Sequence, residues 1–294
     1  MSEPHTNNLC LALLQFAVPI GSTSTQILSH VTDMVRTAAA DGANIIVTPE
    51  LFLSPYFPQS LDESNFDLAE PIPGPTSTYL QALADELNVT LHASLFERRA
   101  PGLYHNTSVT MTPEQPIQLY RKMHIPHDPH FEEKYYFTPG ESFAIHATPH
   151  GNIGPLICWD QWFPEAARAT ALLGADLLVY PTAIAYLDSE PPEEQAAQRD
   201  AWITIQRSHA IANNLFVAAC NRIGREGKLN FWGSSFIAAP DGTIIAQASE
   251  TDEQIVIADL DLSMIETQRR AWPYLRDRLP HQYQSLTQQF ADNN

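Results

Sequence analysis

Apolar residues recur along the chain in short runs, and between the runs they fall at helical spacing. Residues 9–17 are an almost unbroken apolar run and read as a buried strand. In residues 24–40, Ile27, Val31, Met34, Val35 and Ala38 return every three or four positions, which is one face of a helix. Asp41-Gly42 ends that pattern, with glycine where a left-handed cap is wanted. Residues 43–48 form a second buried strand that stops at Pro49-Glu50. The unit is βαβ, with an acid at the carboxyl end of its second strand, where open α/β sheets gather their ligands.

Proline-rich residues 55–75 read as loop, 76–87 as helix, 89–97 and 105–112 as paired strands. A short strand at 117–120 runs into Arg121-Lys122. The stretch 124–140, dense in histidine, proline and aromatic residues, is a long loop of the kind that usually carries function. Residues 153–157 are a buried strand ending at Cys158, and Pro164 suits the first turn of a helix over 165–173. A strand follows at 177–180. The acidic segment 186–198 is expected to be a flexible loop or lid. A helix at 200–213, a strand at 215–220, a hairpin of 231–239 with 243–248 around Pro240-Asp241-Gly242, and a last strand at 255–259 complete the pattern. Strands come in pairs between helices more often than a doubly wound sheet needs, which points to an α/β sandwich of two sheets with helices outside. No composition break divides residues 1–294, so one domain is expected. Its arginine-containing tail, about 263–294, is expected to pack on a neighbouring or partner chain.

Charge narrows the choice of partner. The chain has 16 basic and 34 acidic side chains, a formal net charge of −18. That balance disfavours nucleic acid and anionic membranes and mildly favours cationic small molecules. The three cysteines, Cys10, Cys158 and Cys220, form no CxxC pair and no disulfide framework, so a reducing, cytoplasmic setting is expected. The N-terminus has no basic segment of the secretory kind, and its first apolar run is too short to span a bilayer.

Glu50, Lys122 and Cys158 each follow an apolar strand. Cys158 stands at a strand-to-helix turn, where a side chain is presented at a sheet edge beside free backbone N–H groups. A thiol must lose its proton to attack, and a carboxylate can take it. A lysine beside them can hold an oxyanion, and the backbone N–H of Trp159 is a natural second donor. Alone, each residue has an ordinary structural explanation: a core cysteine, a loop carboxylate, a surface lysine.

Four ordered segments give the set more weight: Thr48-Pro-Glu50-Leu-Phe, Tyr120-Arg-Lys122-Met-His-Ile-Pro, Glu133-Lys-Tyr-Tyr-Phe-Thr-Pro-Gly140 and Ile157-Cys158-Trp-Asp-Gln-Trp-Phe-Pro-Glu165. In order and spacing they resemble the nitrilase superfamily of carbon–nitrogen hydrolases, and weaker similarity runs through the rest of the chain. The resemblance implies a four-layer α-β-β-α sandwich, a Glu50-Lys122-Cys158 triad, a second carboxylate at Glu133 that orients the lysine and substrate, and a homo-oligomer, dimer or higher. No cofactor or metal is implied.

The residues after the cysteine separate branches of that superfamily. Carbamoylases of N-carbamoyl amino acids resemble one another in an Asn-Asp-Arg-Arg sequence whose arginines clamp a carboxylate. Here Trp159-Asp160-Gln161-Trp162 stands in its place. The chain instead is similar to N-carbamoylputrescine amidases, through this segment and through Tyr180-Pro-Thr-Ala-Ile184, Ser189-Glu190-Pro, Arg199-Asp-Ala-Trp202, Asn221-Arg-Ile-Gly224 and Ser235-Phe-Ile-Ala238. That resemblance implies hydrolysis of a small cationic ureido substrate, with Glu190 meeting its far ammonium. The branch runs Ala-Ile-Gly-Ser-Glu-Pro, whereas this chain has Ala185 for glycine and inserts Tyr186-Leu187-Asp188, so Asp188 is the alternative partner. Other amidases of the superfamily, ω-amidases among them, and a non-catalytic relative are the competing readings. His124, His127 and His130 are spaced by three, but the prolines between them forbid a shared helix face, and a metal site is not expected. Phe52, Tyr56, Trp159 and Trp162 are candidates for the wall around an alkyl chain, or for the core.

Overall fold

The computed structural model describes residues 8–291. In chain order its strands are β1 (Asn8–Gln15), β2 (Ile45–Val47), β3 (Thr90–Ala100), β4 (Leu103–Met111) and β5 (Gln118–Arg121). Then come β6 (His146–Thr148), β7 (Gly151–Pro155), β8 (Leu177–Pro181), β9 (Ala185–Leu187) and β10 (Phe216–Cys220). The last are β11 (Ile223–Glu226), β12 (Leu229–Trp232), β13 (Phe236–Ala238), β14 (Ile244–Gln247) and β15 (Gln254–Asp261). The helices are α1 (Ser24–Ala40), α2 (Pro75–Leu87), the single turn α3 (Glu133–Tyr136), α4 (Pro164–Leu172), α5 (Pro192–Asn213) and α6 (Ser263–Ala271).

Two six-stranded sheets result, ordered β15-β1-β2-β3-β4-β5 and β14-β13-β10-β8-β7-β6, with a three-stranded sheet β11-β12-β9 beside them. Alternation along the strands explains the stacking. Leu9, Leu11 and Leu13 of β1 meet Val179 of β8 and Phe216 and Ala218 of β10 in a dry layer between the sheets. Ala12 and Leu14, on the opposite face of β1, pack on Ile27, Val31 and Val35 of α1. On the far side, α4 and α5 cover β8 and β10 through Ala167, Trp202 and Ala210. The order is therefore helix, sheet, sheet, helix. With both faces buried, the inner strands are near-continuous apolar runs, and for that reason they were conspicuous in the sequence.

Three elements depart from the sequence expectation. Segment 186–198 is not one loose loop: 185–187 is strand β9 and Pro192 opens α5, a helix of 22 residues. Proline at the first turn and Glu193 and Glu194 beside the helix's positive end favour that start. The expected strand at 231–239 is two strands, broken where Gly233 and Ser234 both take positive φ. A hairpin about Gly227 joins β11 to β12 and was not anticipated. Past α6 the tail exposes Trp272, Leu286 and Phe290. Among the described residues no helix is long and apolar enough to cross a membrane.

Candidate active site

Three strand ends converge. β2 leads through Thr48-Pro49 to Glu50, whose N–H donates to the carbonyl of Thr182, just past β8, at 3.3 Å. This bond ties the two sheets together. β5 delivers Lys122, whose N–H donates to Asn106 C=O of β4 at 2.9 Å and whose C=O accepts from Gly140 N–H at 2.8 Å. A Cβ on Gly140 would lie 2.1 Å from the Arg121 carbonyl oxygen, so only glycine allows that approach. β7 leads to Cys158, which sits at φ +40°, an uncommon conformation for a residue with a side chain, at the head of a short 3-10 turn. The first hydrogen bond of that turn is Asp160 N–H to Ile157 C=O, 3.0 Å, so the Trp159 N–H precedes it and is left without a partner inside the turn.

Lys122, fully buried, donates through Nζ to Glu50 Oε1 and to Glu133 Oε2, both at 2.7 Å. Glu50 Oε1 also accepts from Asn106 Nδ2 at 2.7 Å. Glu133 Oε1 accepts from the Tyr56 hydroxyl at 2.7 Å. Glu50 Oε2 is buried and has no hydrogen-bond partner among the described residues. A carboxyl oxygen left bare in a protein interior is costly, and here it stands free to engage a group that enters the site. Burial alone would lower the Lys122 pKa, but Glu133 and Glu50 outweigh it and hold the ammonium charged. Burial first, and then the Glu50 charge, push Glu133 up to about 7 against the pull of Lys122. Burial, followed by the Glu50 and Glu133 charges, pushes the Cys158 thiol well above its ordinary range, only partly offset by Lys122 and a backbone hydrogen bond from Ala183. That direction favours the thiol over the thiolate, so attack calls for a base close by.

Asp160 was read only as part of a motif, and the structure gives it a task. Its Oδ2 accepts from Ile157 N–H at 2.9 Å and from the Tyr120 hydroxyl at 2.8 Å. Its Oδ1 accepts from His124 N–H at 3.0 Å and lies 2.7 Å from His124 Nδ1. A fully buried carboxylate thus clamps the turn that bears Cys158 to residues on either side of Lys122. Its sequence signal was the aspartate in the first turn of a helix, where a side chain can satisfy orphan N–H groups. His124 is engaged there, stacked on Phe163 at 3.7 Å, and His127 faces Glu132 at 3.2 Å, so the histidines point to separate partners.

Cys158 opens onto a cavity of about 470 Å³. Trp159, Trp162, Ile184, Leu187 and Trp232 give it apolar walls, and the charged residues that line it are Asp128, Glu133 and Glu190, with no lysine or arginine. Glu190 is held at the wall by Leu187 N–H to Oε2, 2.9 Å, and Gln198 Nε2 to Oε1, 3.0 Å. Asp188 does not line the cavity; it is half-exposed on the surface and ion-paired with Arg225. Of the expected aromatic wall, Trp159 and Trp162 are present, Tyr56 supports Glu133, and Phe52 lies in the core beneath α1 and α2. Cys220 is buried between the sheets and Cys10 lies half-buried on β1.

Residues 10–270 match the carbon-nitrogen hydrolase family. The N-carbamoylputrescine amidase of Solanum lycopersicum is 42% identical over 286 residues, 94% of each chain. The citrullinase of Francisella tularensis subsp. tularensis is 36% identical over 289 residues, 96% of this chain and 99% of that one. A crystal structure of a carbon-nitrogen hydrolase from Helicobacter pylori G27 superposes with a TM-score of 0.93 at 42% identity, covering 97% of this chain and all of the other. With a family match over most of its length and relatives at this identity, the chain belongs to the carbon-nitrogen hydrolases of the nitrilase superfamily and is an amidohydrolase.

Proposed function

We propose that the protein hydrolyses N-carbamoylputrescine to putrescine, ammonia and carbon dioxide. In this reading Glu50 Oε2 takes the proton from Cys158 as Sγ bonds to the ureido carbon. The oxyanion that forms is held by the Lys122 ammonium and the Trp159 N–H. Collapse expels one nitrogen, which leaves with the proton held by Glu50, and the remaining carbamoyl group stays on sulfur as a thioester-like intermediate. Water then gives a proton to Glu50 and attacks the same carbon. The thiol departs, Glu50 returns the proton to sulfur, and the carbamic acid left after ammonia departs falls to amine and carbon dioxide. Glu133 fixes the lysine between two carboxylates, so its charge is present without moving. The exposed apolar tail suits the expected homo-oligomer.

The observation that carries the substrate assignment is the charge of the cavity: three acids and no base line it. An alkylammonium finds a partner at Glu190, whereas a carboxylate tail would be desolvated among acids with nothing to pair it. The citrullinase relative raises a second reading, a ureido substrate that ends in an α-amino acid. Its ammonium would suit Glu190, but its carboxylate meets the same difficulty.

Ammonia release from N-carbamoylputrescine, N-carbamoyl-β-alanine and citrulline at equal concentration tests this. The cationic compound is expected to be turned over with a kcat/KM at least about 100-fold above the anionic one, the scale of one unpaired buried charge. Preference for N-carbamoyl-β-alanine would overturn the assignment, and preference for citrulline would replace it with the second reading.

A further inference from the structure

We propose that Asn106, braced by Ser94, is the positioning residue that selects which oxygen of Glu50 does proton transfer. The inference rests on the reading of Glu50 as the base and goes beyond it, because it explains why one oxygen is available and the other is not.

The geometry has a direction. Leu51 N–H donates to Ser94 Oγ at 3.2 Å. Ser94 donates its own proton to Asn106 Oδ1 at 2.9 Å. That fixes the amide's orientation, and its NH2 faces Glu50 Oε1 at 2.7 Å. The ring closes on the residue next to Glu50. All four side chains and backbone groups in it are buried. Asn106 also accepts Lys122 N–H on its backbone carbonyl, so one residue sets the height of both the carboxylate and the lysine.

The consequence is an asymmetric carboxylate. Oε1 carries two donors, Lys122 Nζ and Asn106 Nδ2, while Oε2 carries none. A carboxylate held by Lys122 alone could rotate and offer either oxygen to the lysine. The added amide donor, planar and fixed at its other end, keeps Oε1 occupied and leaves Oε2 free to take a proton. It also supports the ionised form through a charge-assisted bond. The titratable and charged groups facing Glu50 are Lys122, Glu133, Cys158 and Tyr56, and Arg222 meets its backbone carbonyl at 2.7 Å. None of these supplies a second donor to Oε1.

Ser94 offers a conservative pair of variants, because alanine removes the hydroxyl while threonine keeps it, and the residue borders a cavity of about 180 Å³. The test measures kcat and KM against pH on the best substrate of the panel, together with the rate of Cys158 alkylation by iodoacetamide against pH, read by mass spectrometry of the Cys158 peptide. Asn106→Ala is expected to lower kcat by about 10- to 100-fold, the value of one hydrogen bond to a charged group, with KM within about threefold. Its acidic limb should move up by about one pH unit in both profiles, because the carboxylate loses a donor that favoured its charged form. Ser94→Ala should show the same shift at smaller size, and Ser94→Thr, which keeps the hydroxyl, should restore the wild-type profile. If Asn106→Ala fails to fold, the Ser94 pair decides alone. A wild-type pH profile in the Asn106 and Ser94→Ala variants, whatever the rate, would overturn the proposal, as would a shift in Ser94→Thr equal to that in Ser94→Ala. Glu50→Gln, run beside them, separates the two layers. If it is inactive while the other variants keep the wild-type profile, only this inference falls. If it retains activity, the base assignment falls and takes this inference with it.

Discussion

The two ends of the substrate cavity are built differently. At the reacting end Glu50, Lys122 and Glu133 are at most 1% exposed, and apart from the Lys122–Glu133 pair, 11 positions apart, their partners lie far away in sequence: 72 residues separate Lys122 from Glu50, 56 separate Asn106 from Glu50, and 77 separate Tyr56 from Glu133. At the far end Glu190 is held from residues 3 and 8 positions away. The reacting end is therefore a property of the whole sandwich, and the far end is a property of one local segment. A segment of that kind can change length without disturbing the buried Glu50-Lys122-Glu133 cluster. The stretch that the family resemblance reads as inserted, Tyr186-Leu187-Asp188, illustrates the point. Tyr186 and Leu187, with Ala185 before them, pair with Asn230, Leu229 and Phe231 of β12, so this stretch lengthens a ladder and Asp188 follows at its end, ion-paired with Arg225.

On that contrast, substitutions at the reacting end should cost both turnover and stability, with one exception. Lys122→Met should abolish turnover, by about 10⁴-fold or more. It should also destabilise the protein by about 3–5 kcal/mol, because it strands two buried carboxylates. The deficit has a definite pH dependence. Without the ammonium that pulls it down, Glu133, already pushed up to about 7, holds its proton in the folded state to higher pH than in the unfolded chain. Between those values the folded state binds more protons, so its stability falls as pH rises. Chemical denaturation at pH 4.5 and pH 7.5 should show a much smaller loss relative to wild type at the lower value; an equal loss would mean the carboxylates are not paired through Lys122. The exception is Cys158→Ala. It should lose turnover to the same extent, yet stay within about 1 kcal/mol of wild type, since it removes only a small, neutral thiol. Retained turnover would remove Cys158 as nucleophile.

Legibility in the sequence follows the same division. The two-sheet sandwich could be read because its inner strands are apolar on both faces and end at turn residues. Glu50, Lys122, Glu133 and Cys158 could be singled out because each closes a strand or stands in a matched segment. The residues that orient them could not. Asn106 and Ser94 lie inside strands, where a polar residue facing inward looks like any alternating position. Asp160 looks like a surface cap until the fold brings Tyr120 and His124 against it. The segment 186–198 was misread because its charges and prolines suit a loop and a helix N-terminus equally, and only its packing beside β12 and the cavity distinguishes the two.

Substitution at the far end should move recognition and leave chemistry alone. Glu190→Gln keeps the shape and the bond to Leu187 N–H but removes the charge. For N-carbamoylputrescine KM should rise about 10- to 100-fold with kcat within about threefold, since the lost contact acts on bound substrate and transition state alike. Activity on N-carbamoyl-β-alanine should stay level or increase. A fall in kcat with KM unchanged would instead place Glu190 in the reacting machinery and erase the distinction between the two ends.

Asp188→Asn sharpens the comparison from its weakest side. Asp188 and Arg225 are 44% and 66% exposed, and an ion pair at such a site contributes about 0–1 kcal/mol. The carboxylate lies outside the cavity, and salt screens whatever field it sends there. KM for the cationic substrate should therefore change less than about twofold at 0.15 M salt, and the midpoint of thermal unfolding should scarcely move. A rise in KM as large as that of Glu190→Gln would mean that the β9 tip folds inward when substrate binds and that Asp188, not Glu190, meets the ammonium. A null result in Asp188→Asn beside a strong one in Glu190→Gln would assign the recognition of charge to a single carboxylate two residues further along the chain.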